Sequence, residues 1–168
     1  MRISGRSLAL GFASLVVAVC SFATPAAADS PQAATVTAHG TVVAADGSTV
    51  GQIAFHKRGD GTKAPAELGN PSVWGVATIK VAASANTVSP MSEACVPASG
   101  GNWCYGYYLN TSGKYCYSNY YHHDKVHKSS VKIAGGTVDS GWVAANDYSN
   151  AHRTAGAAYT CETYYSIK

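Results

Sequence analysis

Apolar and polar residues alternate with a period of two over most of this chain, which predicts half-buried strands rather than helices. Residues 34–38 alternate, residues 40–45 continue the pattern, and Asp46-Gly47 then supplies a hairpin turn. Residues 50–56 return as a strand with Ile53 and Phe55 on one face. Arg58-Gly59-Asp60-Gly61 makes a further turn, and residues 62–70 carry little pattern before Pro71. Alternation resumes at residues 73–82. Val73, Ala77, Ile79 and Val81 point one way there, and Trp74, Thr78 and Lys80 the other. Residues 84–99 are rich in Ser, Ala and Pro and low in pattern, which predicts a linker.

Residues 100–133 hold most of the eleven tyrosines and one of the three tryptophans. Aromatic and β-branched residues pack well on a pleated surface, so strands are expected here. Residues 109–113 supply the turn chemistry of a hairpin, which places Cys104 opposite about Asn119. The pairs Tyr107/Tyr108 and Tyr120/Tyr121 must split between the two faces, leaving one ring of each pair outward. One small hairpin cannot hide so many rings, and tyrosine keeps a polar tip for water or a ligand. The stretch therefore reads as the functional surface. Further on, Ala134-Gly135-Gly136 is a turn and residues 137–143 a strand. Ala144, Tyr148, Ala151 and Ala155 fall at helical spacing, so a short helix competes with a strand there. Residues 158–167 close the pattern as a strand.

The first 28 residues look like a targeting segment. Arg2 and Arg6 precede an apolar run over residues 8–23, and Ala26-Ala27-Ala28 offers a cleavage site. The run is shorter than the roughly 20 residues a spanning helix needs. A signal peptide over residues 1–28 is expected, then a secreted chain from Asp29 without a transmembrane segment. The expected organisation is a β-rich extension (29–83), a linker (84–99) and a C-terminal domain (100–168). An extension that small is marginal alone. It either packs on the C-terminal part or serves as a pro-segment or spacer.

Composition narrows the function classes. Two of the 12 Lys and Arg leave with the signal, so ten face nine acids. That near-balance argues against nucleic-acid binding through bulk charge. Only 12% of residues are charged, which suits a turn-rich, all-β secreted protein. Without Cys20, four cysteines remain, Cys95, Cys104, Cys116 and Cys161. An even count in an exported chain implies two disulfides with three connectivities. A direct Cys104–Cys116 rung is awkward, and a bridge from Cys161 back to the aromatic sheet is favoured.

Catalytic signals are weak. His123 and His127 have the spacing of zinc-protease ligands on a helix, with His122 and Asp124 beside them, but no glutamate base lies between. A polar sheet edge or turn is the favoured reading, with no metal and no cofactor. Gly-x-Ser-x-Gly, a carboxylate pair at a motif spacing and a phosphate-cradling glycine loop are all missing, so no enzyme is expected.

Several motifs nonetheless stand together. Gly100-Gly101-Asn102-Trp103-Cys104-Tyr105-Gly106 is followed by Tyr117-Ser118-Asn119-Tyr120-Tyr121-His122 and then by Lys125-Val126-His127-Lys128-Ser129-Ser130-Val131. Ser140-Gly141-Trp142 and Tyr164-Tyr165-Ser166-Ile167 complete the set. Over residues 100–168 the chain resembles the lactococcin 972 family of secreted bacteriocins. The resemblance implies an antiparallel β-sandwich, here stapled by two disulfides and carrying a β-rich N-terminal extension. It also implies an antibacterial protein that blocks cell-wall synthesis at the division septum by engaging the lipid II precursor, as a homodimer. The candidate ligand-binding residues are Trp103, Tyr105, Tyr120, Tyr121, His122, Lys125 and His127. Lys125 would meet the pyrophosphate, and the outward rings the sugars or the peptide stem. The alternative is a non-toxic secreted carbohydrate- or wall-binding module, and a third reading is a structural or interaction protein.

Overall fold

The computed structural model describes residues 35–37, 40–43, 47, 49–80 and 92–168. The expected signal peptide, its cleavage site and Cys20 lie outside the described residues. The strands are β1 (Thr35–Val36), β2 (Thr41–Val43), β3 (Thr49–Lys57), β4 (Val73–Ile79), β5 (Ser92–Ala98) and β6 (Gly101–Asn110). They continue with β7 (Gly113–Tyr121), β8 (His127–Ile133), β9 (Gly136–Asp139), β10 (Tyr148–Ala155) and β11 (Cys161–Ile167). Two antiparallel sheets pack into a sandwich, a seven-stranded one in the order β1-β2-β3-β4-β11-β8-β9 and a four-stranded one in the order β10-β7-β6-β5. The only helical element among the described residues is one turn of 3-10 helix, Ala66–Leu68.

The aromatic hairpin forms as the sequence suggests. β6 and β7 pair around Asn110↔Gly113, and Cys104 faces Asn119. At Tyr148–Ala155 the strand wins over the helix. β7 offers it a ladder from Tyr148↔Tyr121 to Ala155↔Lys114, and Ser149 and Ala151 turn inward. Alanine spacing fits either period, so the neighbouring strand decides.

One other expectation changes, and one left open is decided. Ser92–Ala98 falls within the stretch read as a linker, yet it forms β5, paired residue for residue with β6. Its alanines and Val96 face inward, and Pro97 is tolerated because β5 is a sheet edge. The N-terminal extension also joins the C-terminal segment directly. β3 pairs with β4, and β4 pairs with β11 along the whole of both strands. Tyr165 of β11 lies over Gly75 of β4, where a Cβ would sit 2.2 Å from the ring. One apolar core contains Val42, Ile53, Ala77 and Ile79 from the extension together with Trp103, Tyr105, Tyr120 and Tyr165. The weakly patterned residues 62–70 form a strap over the outside of the large sheet. Leu68 packs there with Trp74 and Tyr164, and Lys132 Nζ donates to Glu67 Oε1 at 2.8 Å.

The two disulfides are Cys95–Cys104 and Cys116–Cys161. The first joins directly opposed positions on β5 and β6. The second crosses between the sheets from β7 to β11, which is the anchoring of Cys161 that the sequence favoured.

Candidate functional site

Three of the seven residues expected to bind ligand are core. Trp103 is 0% exposed, and Tyr105 and Tyr120 are equally enclosed. Each inward ring is oriented by a neighbour. Trp103 Nε1 donates to Ser118 Oγ at 2.9 Å, and that hydroxyl donates to the Tyr164 carbonyl. Tyr120 donates to the Ala98 carbonyl at 2.8 Å and stacks on Tyr165. The Tyr105 hydroxyl is buried without a partner, and burial pushes its pKa up.

The histidines at the end of β7 and the start of β8 are also interior. His122 Nδ1 accepts the Asp124 N–H at 3.0 Å, so Nε2 carries the proton and donates to the Ser99 carbonyl. His127 lies between the carbonyls of Lys125 and Asp147, at 2.8 and 3.1 Å. It ties residues 122–126 to the loop that leads into β10. These are positioning contacts for a loop. Among the described residues no cluster of three or more His, Cys, Asp or Glu is placed to hold a metal. Of the seven, Tyr121 and Lys125 reach the surface.

Tyr121 belongs to a larger arrangement, the outer face of the four-stranded sheet. At one end Tyr108, Tyr115 and His152 stack across three strands, with centroids 4.5 and 5.1 Å apart. At the other end Tyr121 meets Tyr148 at 4.8 Å and His123 at 4.9 Å. The spacings between rings on adjacent strands match the ~4.8 Å between neighbouring strands. Tyr148, on the edge strand β10, is 66% exposed. Asn119 and Asn150 face each other between the two ends. The outward positions of β6, β7 and β10 carry no Lys, Arg, Asp or Glu. On β5, Glu93 accepts the Tyr117 hydroxyl. Burial and that bond push Tyr117 up, and burial with the neighbouring Tyr108 does the same for Tyr115. Both hydroxyls therefore stay protonated as donors.

Most of this face escaped sequence reasoning. Alternation separates Tyr107 from Tyr108 and Tyr120 from Tyr121, but it does not say which side is inside. The usable signal was pairing: Tyr148 and His152 become neighbours of β7 only if residues 148–155 are a strand.

The face runs into one end of the sandwich. There the 122–126 loop carries His123, whose Nδ1 lies 3.1 Å from both the Tyr121 hydroxyl and Asn146 Oδ1. Lys125, two residues further along the loop, is exposed.

Residues 99–165 match the family model described as Bacteriocin (Lactococcin_972). The matched segment contains β6 to β10, most of β11 and all seven expected site residues; β1 to β5 precede it. No curated protein and no solved structure matches the chain.

Proposed function

We propose that this chain is a secreted antibacterial protein that inhibits cell-wall synthesis at the septum of related bacteria by binding lipid II. The observation that carries the reading is the match of residues 99–165 to a bacteriocin family. The outward part of that segment supports it. Tyr121, Tyr148, His123 and Asn146 offer rings and polar edges suited to sugars, and the exposed Lys125, two residues along the loop from His123, is a cation for pyrophosphate. The reading needs no catalytic group.

Growth and septum formation in related Gram-positive cells given the purified protein test the biological half. Binding to vesicles containing lipid II tests the molecular half. Lys125→Ala should melt like the parent and bind lipid II about tenfold more weakly, the cost of losing one charge-assisted contact. Unaltered lipid II affinity in both Lys125→Ala and Tyr148→Ala would refute the precursor reading. A non-toxic wall-binding module is favoured by one observation, the lack of formal charge on the outer face beyond Glu93. It would be the conclusion if cells grew normally while isolated wall bound the protein.

A further inference from the structure

The end of the sandwich that carries Lys125 continues around to the large sheet, where it changes character. Trp142 stands in the loop after β9, with Lys128 Nζ 5.2 Å and Lys168 Nζ 5.0 Å from its ring centroid. Val126, whose carbonyl accepts the Lys168 N–H, is 40% exposed beside them. Lys128 is engaged by Asp139 at 3.6 Å and by the Glu67 carbonyl. Among the described residues, no ion pair engages Lys125 or Lys168. Nearby acids are Asp124, Asp139 and Asp147, of which Asp139 is taken up by Lys128.

We infer that this end, built from Trp142, Val126, Lys125 and Lys168, docks on an anionic phospholipid surface. An indole prefers the headgroup layer, where its apolar body is buried and its N–H stays wet. Lysine stems lie along apolar surface while their ammonium groups reach phosphate, so a tryptophan flanked by lysines suits that layer. Lys125 and Lys168, neither in an ion pair among the described residues, supply the charge complementarity, each worth about fivefold in binding to an anionic leaflet. The inference rests on the precursor reading in one respect: a pyrophosphate held by Lys125 would lie at the membrane surface, with this same end of the molecule against it. One indole and one valine bury little area, so the association is weak and falls with salt.

Vesicles without lipid II separate the two readings. Trp74 and Trp103 are 2% and 0% exposed, so a change in intrinsic fluorescence on binding reports Trp142. With phosphatidylglycerol vesicles at low salt, the chain from Asp29, free of the apolar run of residues 8–23, should sediment with the lipid and its emission should shift to the blue. Phosphatidylcholine vesicles and soluble glycerol phosphate should do neither. Lys168→Glu, at an exposed position, should weaken co-sedimentation about fivefold or more with unchanged melting. Trp142→Ala should abolish the shift. Absence of binding to phosphatidylglycerol, or equal binding to both lipids, overturns the inference and leaves lipid II binding untouched. Failure of lipid II binding with phosphatidylglycerol binding intact would overturn only the precursor reading.

Discussion

At the scale of single residues, the core tyrosines differ in how their hydroxyls are treated, and paired substitutions expose it. Tyr120 has the Ala98 carbonyl as partner, while the Tyr105 hydroxyl has none. Removing a satisfied buried hydroxyl costs about 1 kcal/mol, and removing an orphaned one relieves a penalty of similar size. Thermal melting should therefore show Tyr120→Phe lowered and Tyr105→Phe raised. If both fall together, the Tyr105 hydroxyl has a partner after all. His127→Ala would remove the ring N–H that serves the Lys125 or the Asp147 carbonyl, and the ring packed on Tyr120. It should cost about 3 kcal/mol in a melting experiment, whereas Lys125→Ala should cost almost nothing. Sequence reasoning put these two side chains in one class because both are donors in the most family-like segment. Strand geometry separates them: His127 opens β8 pointing inward, and Lys125 precedes it in the loop.

Among the elements, the two disulfides do different work. Cys95–Cys104 closes 9 residues within one sheet, and Cys116–Cys161 closes 45 across both. Chain-entropy reasoning gives about 2.6 kcal/mol for the first and about 4 for the second. Cys116→Ser with Cys161→Ser should accordingly lower the urea midpoint further than Cys95→Ser with Cys104→Ser; the reverse order would show that the β5 edge limits stability. The strap is the other element with a measurable signature. The Lys132 ammonium holds the Glu67 carboxyl below its ordinary pKa. A depressed carboxyl contributes stability above the unfolded value of about 4.3 and loses it as pH falls through the folded one. Wild type and Glu67→Gln should differ by up to about 1 kcal/mol at neutral pH and converge as the pH falls through the depressed folded-state value of Glu67. The strap was invisible in the sequence because Leu68 is an isolated apolar residue among Thr, Lys, Pro and Gly. Only the sheet surface beneath it, Trp74 and Tyr164, gives it something to bury against. β5 was missed for a related reason, since Ala94, Val96 and Ala98 are small and read as linker until β6 is placed beside them.

For the molecule as a whole, the strand pattern was legible and the connectivity was not. Period-two alternation predicts strands at residues 50–56 and 73–82, but nothing in it says that β4 takes β11 as a neighbour. A chain cut at residue 91 keeps all four paired cysteines yet loses β4, and with it Ala77 and Ile79 from the core. Such a fragment should lack a cooperative melting transition and the dispersed amide spectrum of the full chain. A well-dispersed spectrum from it would show that the matched segment folds alone.

β11 is the feature with the widest consequence. It lies between β4 on one side and β8 on the other, register by register, although those strands lie about fifty residues apart in the chain. Until Cys161–Ile167 leaves the ribosome, β4 and β8 have no common neighbour and the Cys116 thiol has no partner. The four-stranded sheet needs no part of β11, but the seven-stranded sheet stays in two pieces until that strand is made. High sequence separation between paired strands also slows their closure. The export proposed above would draw on that delay, because a translocation channel requires cargo whose large sheet has not yet closed.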